Sequence, residues 1–224
     1  MFVAPHHPTG RSVWMGKDLI ESNDWVFHLS NETIDEIRRS LSQLNGRDPY
    51  RFAITKDEFP LASMKNELDM LRKELAHTDP GGALDIVGML SLRKALSGGE
   101  SLIASAHTVH NLMQQWCPEL LEEFYKGFVL RRPDNDAAAL GKPPLLGRIP
   151  SFVYQDDWLN CDFQEGYMRR AQENGDSHIS VKQRAAIGSF TSISNHPDVM
   201  LKMMLEPGDF QYINNRKILH GRAQ

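Results

Sequence analysis

The sequence predicts a mainly β protein whose strands form a core with helices packed outside it. Two stretches near the N-terminus, 34–44 and 61–75, carry apolar residues at the spacing of amphipathic helices. Most of the remaining chain consists of short apolar runs bounded by glycine, proline and asparagine, which is typical of strands. Helical patterns interrupt these runs at 106–125, 164–172 and 181–193. At 224 residues the chain is long enough to bury one sizeable core, so we expect a single domain.

The two N-terminal helices have recognisable boundaries. Thr33, followed three residues later by Glu36, fits a capping box, and Gly46 ends the first helix. The second helix begins near Leu61 and runs into His77 with almost no connector. We therefore expect residues 1–75 to form a helical N-terminal portion.

The first two strands predicted after these helices are 86–90 and 101–104. They flank Gly98-Gly99, so we expect them to be joined through a Gly-Gly turn as a hairpin. Within the next helical stretch, Pro118 removes a backbone donor and predicts two separate helices.

Strand-like pieces return at 127–130 and 151–154. The stretch 132–150 between them is rich in proline and glycine, and we interpret it as a long loop of the kind that often acts as a lid. Toward the C-terminus, Pro207-Gly208 suits a type II turn, and the last strand carries His220.

Composition argues against several classes of protein. The net charge is -4 and no basic stripe follows any element, so we expect no nucleic-acid partner. No apolar run approaches the ~20 residues that span a bilayer, and the N-terminus lacks the features of a signal peptide. These observations predict a cytoplasmic protein that does not bind membranes. Cys117 and Cys161 are too few for a disulfide framework and predict buried, reduced thiols.

Three side chains could bind one metal ion. His77 and Asp79 are two residues apart, so on an extended strand both would project to the same side. His220 would complete the set of two imidazoles and one carboxylate that holds non-haem Fe(II) with coordination positions left open. A double-sheet architecture of the jelly-roll kind brings such distant strands together.

Other interpretations of these residues remain open. The sequence from Asp79 to Gly82 is also an ordinary turn, in which the carboxylate would bond its own backbone. His107 and His110 stand three apart on a predicted helix, but no third ligand is near them, so we expect each to be a satisfied surface or half-buried histidine.

The order of these motifs resembles the taurine/2,4-dichlorophenoxyacetate dioxygenase family, also called TauD/TfdA, whose members have clavaminate-synthase-like folds. The matching segments, in order, are Trp14 with Asp18-Leu19, Trp25, Phe59-Pro60-Leu61, His77-Thr78-Asp79, Gly98-Gly99-Glu100-Ser101-Leu102, Val109-His110-Asn111, Pro207-Gly208-Asp209 and Leu219-His220-Gly221-Arg222. The resemblance implies a double-stranded β-helix, or jelly-roll, core within 77–224, with helical insertions.

The same resemblance implies an activity and its site. His77, Asp79 and His220 would bind Fe(II) and act as the catalytic centre, and Ser101 would contact the cosubstrate 2-oxoglutarate. The reaction would hydroxylate a small organic substrate with O₂. The family carries several dozen residues before its His-x-Asp motif that are missing here. The family also has an anchoring arginine on the order of ten residues past its second histidine, and this sequence has no residue at that position. We therefore expect a shortened relative with an incomplete core.

Two rival functions belong to other classes. A catalytically inactive remnant of the family would act as a binding protein, and a hydrolase would use another divalent metal at the same ligands. The substrate is not specified by the sequence, and a homo-oligomer is possible.

Overall fold

The computed structural model describes residues 4, 7–22, 24–43, 62–78, 86–155 and 158–223. The helices of this part are α1 (Gly16–Glu21), α2 (Asn31–Ser42), α3 (Ala62–Thr78), α4 (Ala106–Trp116), α5 (Pro118–Lys126), α6 (Asp134–Leu140), α7 (Glu165–Glu173) and α8 (Val181–Ser194). The strands are β1 (Ile86–Leu90), β2 (Ser101–Ser105), β3 (Phe128–Arg131), β4 (Leu145–Ile149), β5 (Phe152–Gln155), β6 (Trp158–Cys161), β7 (Leu201–Met203), β8 (Phe210–Asn214) and β9 (Ile218–Arg222).

Every strand pairing in the described residues is antiparallel. β1 pairs with β8, and a separate three-stranded sheet has the order β7-β2-β9. Two further pairs, β3 with β4 and β5 with β6, are formed by the strands between β2 and β7 in sequence. The predicted combination of strands and flanking helices is confirmed as antiparallel sheets with helices, but helices cover more of the described residues than strands do, so this part of the chain is not mainly β. The jelly-roll core stays a prediction.

The sheet β1-β8 lies against one face of β7-β2-β9. The Ser101 hydroxyl on β2 donates a hydrogen bond of 2.8 Å to Oε1 of Gln211 on β8, which joins the two sheets. Since side chains alternate along strands, Ile103 shares the face of Ser101, and Ile213 shares the face of Gln211. All four residues are buried. We call the side of each sheet that points toward the other sheet the inner face.

The opposite, outer face of β7-β2-β9 packs on helices. Ala104 of β2 is buried in a core that contains residues of α4, α5 and α8, and Leu219 of β9 packs against it. We call this the outer core. The centre of this core is aromatic, with the Phe124 and Phe190 rings stacked at a centroid distance of 4.9 Å. Complete burial of one such side chain stabilises the fold by about 1.5–3 kcal/mol.

Helices α2 and α3 cap each other. Three backbone N–H groups at the start of α3 donate to the Glu36 carboxylate of α2, with that of Ser63 at 3.0 Å. In return, Glu67 of α3 accepts hydrogen bonds from Ser30 and Thr33 at the start of α2. Burial alone would raise the pKa of Glu67, but these hydrogen bonds outweigh it and lower the pKa below its ordinary value. The pair is thus fixed by charge-assisted bonds at both N-termini.

This arrangement corrects the predicted capping box at Thr33. Helix α2 begins at Asn31, and Ser30 is its cap, because the Thr33 N–H donates to the Ser30 hydroxyl at 3.2 Å. Glu36 is therefore not bonded back to the start of its own helix but reaches the neighbouring one.

Two predictions about connections were wrong. β1 and β2 do not form a hairpin, because Gly98 and Gly99 lead the chain from one sheet to the other and each strand pairs with distant partners. The stretch 132–150 is not a structureless loop, since it contains α6 and β4, and β4 pairs with β3.

Other local predictions are confirmed. Pro118 separates α4 from α5, and α7 and α8 lie where helical spacing was found. The turn after β7 has the expected form: the Asp209 N–H donates to the Glu206 carbonyl at 2.9 Å, and Gly208 has φ +98°. A positive φ at this position is why glycine is required there.

Candidate functional site

Ser101 lies on the inner face, at the start of β2. This strand is the middle one of its sheet, and Ser101 is 1% exposed. Its backbone is in register with Met203 of β7 on one side and Arg222 of β9 on the other. Because the strand is paired on both sides, the hydroxyl is held in a fixed position beneath β8.

His220 projects from the neighbouring edge strand on the same side as Ser101. It is in register with Ile103, and Arg222 is in register with Ser101. Paired residues on antiparallel strands share a face, so Ser101, His220 and Arg222 all belong to the inner face. His220 is exposed, and the Arg222 guanidinium donates to the Gly99 carbonyl at 3.1 Å.

Gln211 is the polar residue of this region that sequence reasoning missed. It is 7% exposed, its Oε1 accepts from Ser101, and its Nε2 has no hydrogen-bond partner within the described residues. A signal was present in the sequence: Phe210 and Tyr212 alternate along β8, so the residue between them had to face the other way. A glutamine at an inward position of a strand indicates a polar contact there.

The first predicted metal motif is described only in part. His77 is the second-last residue of α3, so its backbone is helical. The prediction that His77 and Asp79 share one side of a strand required an extended backbone there. Asp79 lies outside the described residues. Among the residues that the structure does describe, no group of three or more His, Cys, Asp or Glu side chains is close enough to hold a metal ion. The ligand set of His77, Asp79 and His220 therefore stays a prediction.

His107 and His110 are structural. His107 lies within 2.7 Å of both the Ser12 hydroxyl and the Leu159 carbonyl, and His110 Nε2 lies 2.7 Å from the Tyr125 hydroxyl. Both rings have hydrogen-bond partners, as predicted, but both are fully buried rather than half-buried or at the surface. Burial lowers the pKa of His110 to about 4, so its ring is neutral at physiological pH.

Both cysteines are free thiols, and the predicted burial is found for one of them. Cys161 is buried and Cys117 is half-buried, and neither forms a disulfide. Burial raises the pKa of both thiols, which keeps them protonated and unreactive.

A cavity of about 420 Å³ runs along the edge strand β9. His220 and Gly221 line it from the strand, and Thr191 and Asn195 line it from α8. Within the described residues β9 pairs on one side only, with β2, and His220 on this edge is exposed.

Comparison with known proteins defines the class. Residues 26–224 match the model of the family described as "Taurine catabolism dioxygenase TauD, TfdA family". The chain belongs to this family, as the resemblance of its motifs predicted.

Two curated relatives are similar to this chain. The FR-33289 synthase of Streptomyces rubellomurinus is 31% identical over 151 residues, which are 66% of this chain and 42% of that protein. The taurine hydroxylase-like protein SAT17 of Stachybotrys chartarum is 27% identical over 155 residues, 66% of this chain and 36% of that protein. The chain thus spans about two fifths of the length of the curated relatives it matches.

Solved structures of oxygenases also align with the chain. Asparagine oxygenase in complex with Fe(II), 3-hydroxyasparagine and succinate gives a TM-score of 0.47 at 14% identity, covering 62% of this chain and 39% of the other. The non-haem iron oxygenase OrfP, in complex with Fe, succinate and dihydroxyarginine, gives 0.43 at 11% identity, covering 96% and 87%. Separately, none of the helices in the described ranges is both long and apolar enough to cross a membrane.

Proposed function

We propose that this chain is an Fe(II)- and 2-oxoglutarate-dependent dioxygenase that hydroxylates a small organic substrate with O₂. Its two facing sheets would be part of a double-stranded β-helix. The observation that carries the proposal is the position of Ser101 and His220. They come from segments more than a hundred residues apart, yet they lie on one face of one sheet. Ser101 is in register with Arg222, and His220 is in register with Ile103, the next residue of β2 on that face.

His77, Asp79 and His220 would hold the iron, and Ser101 would contact 2-oxoglutarate. When bound, Fe(II) and the 2-keto acid together supply the activation of O₂ that a side chain alone cannot provide. His220 suits this task because its strand pairs with the buried strand β2 on one side and opens to a cavity on the other.

The surroundings of Ser101 suit a carboxylate ligand. Hydroxyl and amide groups lie between the sheets at Ser101 and Gln211, and a positive charge lies in the same row at Arg222. Anions are stabilised by such donors when water is excluded. Ile103, Leu201 and Ile213 are buried apolar residues beside these donors, and they would restrict the access of water to the reacting groups.

An anaerobic titration tests the proposal. Fe(II) and 2-oxoglutarate are added to the purified chain, and the visible absorption band from metal to bound 2-keto acid is followed. We expect the band in the wild type and its loss in His77→Ala, Asp79→Ala and His220→Ala. His196→Ala is the matched control, because His196 is an exposed histidine outside the sheets, and it should leave the band unchanged.

The rival functions give different results in the same experiment. An inactive binding protein would give no band in the wild type. A hydrolase would cleave substrate with another divalent metal and without consuming O₂. A band that persists in His220→Ala would contradict the ligand assignment.

A further inference from the structure

We infer that Gln211 is a further binding residue, whose side-chain amide donates to the distal carboxylate of 2-oxoglutarate from the strand facing Ser101. The inference rests on the proposed function and adds to it a residue from the second sheet. It starts from the Gln211 amide nitrogen, which lacks a hydrogen-bond partner within the described residues.

The Gln211 side chain is oriented by Ser101. Its Oε1 accepts the Ser101 hydroxyl proton at 2.8 Å, so its two N–H donors must point elsewhere. While this bond is made, the Ser101 proton is used on Gln211, so Ser101 would contact 2-oxoglutarate without donating a second hydrogen bond to it. The donor that this pair offers to an anion is therefore the Gln211 amide, with Ser101 holding that amide in place.

An unpaired amide in this position is costly. Gln211 is 7% exposed, so water does not readily replace the missing partner, and buried polar groups without partners destabilise a fold. A carboxylate that enters between the sheets would accept from Nε2 and remove this cost. An apolar ligand would not, so the site favours an anion over a neutral group.

The spacing along β2 matches a five-carbon dicarboxylate. His220 is in register with Ile103, and Gln211 contacts Ser101, two residues further along the strand. Two residues of a strand span about 7 Å. A 2-keto acid whose keto end lies near His220 would thus place its distal carboxylate in the row of Ser101, Gln211 and Arg222.

A pair of ligands isolates this contact. 2-Oxoglutarate carries the distal carboxylate and 2-oxobutyrate lacks it, and both bind through the same 2-keto acid end. We measure the dissociation constants of both from the anaerobic Fe(II) absorption band, and again by calorimetry with Mn(II) in place of Fe(II). The readout is the ratio of the two constants, which is insensitive to the fraction of folded protein.

Gln211→Leu removes the amide and keeps the side-chain size. We expect it to weaken 2-oxoglutarate roughly tenfold or more and to leave 2-oxobutyrate nearly unchanged, because one hydrogen bond to a charged group is lost. Gln211→Glu keeps an acceptor for Ser101 but adds a negative charge, so it should weaken 2-oxoglutarate further. Ile193→Val, in the outer core on α8, is the control for altered packing and should keep the wild-type ratio.

The possible failures are distinguishable. An unchanged ratio in Gln211→Leu, or an equal loss of both ligands, would overturn the role of Gln211 while the wild-type band still supports the proposed function. A wild type that binds neither 2-keto acid would overturn both.

Discussion

The two faces of the sheet β7-β2-β9 differ in what they bury. The outer face packs Ala104 and Leu219 on a continuous aromatic and aliphatic core. The inner face combines apolar residues with the hydrogen-bonded pair Ser101 and Gln211. One side of the same strands therefore supplies stability, and the other carries polar atoms suited to a ligand. Variants on the two faces should therefore separate loss of folding from loss of binding.

The largest loss of stability should come from the outer core. Phe124 is fully buried and its ring contacts four other aromatic rings, including that of Phe190. Phe124→Ala should lower the free energy of unfolding by about 3–5 kcal/mol, measured by urea denaturation. Phe210→Ala, at a half-buried position of β8, should cost roughly 1 to 2 kcal/mol. Equal effects would contradict the outer core as the main source of stability.

His110 makes the outer core sensitive to acid. Its folded-state pKa of about 4 lies below the value of about 6.5 for an unfolded chain, so protons bind the unfolded state more strongly. The stability should fall as the pH drops below about 6.5, by about 3 kcal/mol at pH 4 from this group. His110→Gln keeps a hydrogen-bonding group toward Tyr125 but cannot titrate, and denaturation curves should show a weaker pH dependence between 6.5 and 4. The same pH dependence in both proteins would refute this role.

The paired caps of α2 and α3 should contribute less to the free energy of unfolding than the outer core does. Glu36→Ala leaves three backbone N–H groups of α3 without their carboxylate, and we expect a loss of about 1 kcal/mol. Asn66→Ala, an exposed change on α3, should alter the stability by a few tenths of a kcal/mol. Thermal unfolding followed by circular dichroism measures both, and an unchanged melting temperature in Glu36→Ala would argue against the cap.

The smallest change in stability should accompany the largest change in function. His220 is exposed, so His220→Ala should shift the free energy of unfolding by no more than about 0.5 kcal/mol. The same variant should lose Fe(II)-dependent binding of 2-oxoglutarate. A large destabilisation would mean that His220 is a structural residue like His107 and His110.

Local sequence signals predicted the elements better than the connections. Pro118 and the spacing in α7 and α8 act within a few residues, and those helices were found as predicted. Gly98-Gly99 allows a tight turn but does not specify whether the next strand returns to the same sheet, so the hairpin prediction failed. Pairing is decided by long-range packing, which periodicity within one segment does not contain.

The candidate site shows the same division. The ordered motifs led to the correct family. His220 and Ser101 lie on paired strands, and their roles at the site stay predictions. The role of Glu36 was misjudged because its partner lies on another helix, and Gln211 was missed because its partner lies on another sheet. The extended geometry expected at His77 was not found, since α3 continues through Thr78.

The most direct measurement is paramagnetic line broadening by Mn(II) in the presence of 2-oxoglutarate, read from the backbone amide signals of the isotope-labelled chain. We expect the strongest broadening at the inner-face positions Ser101, Gln211 and His220, and weaker broadening at the outer-core positions Val109 and Phe124. Broadening that spares the inner-face positions, or that centres on α8 at the far side of the β9 cavity, would contradict a metal and cosubstrate site between the sheets.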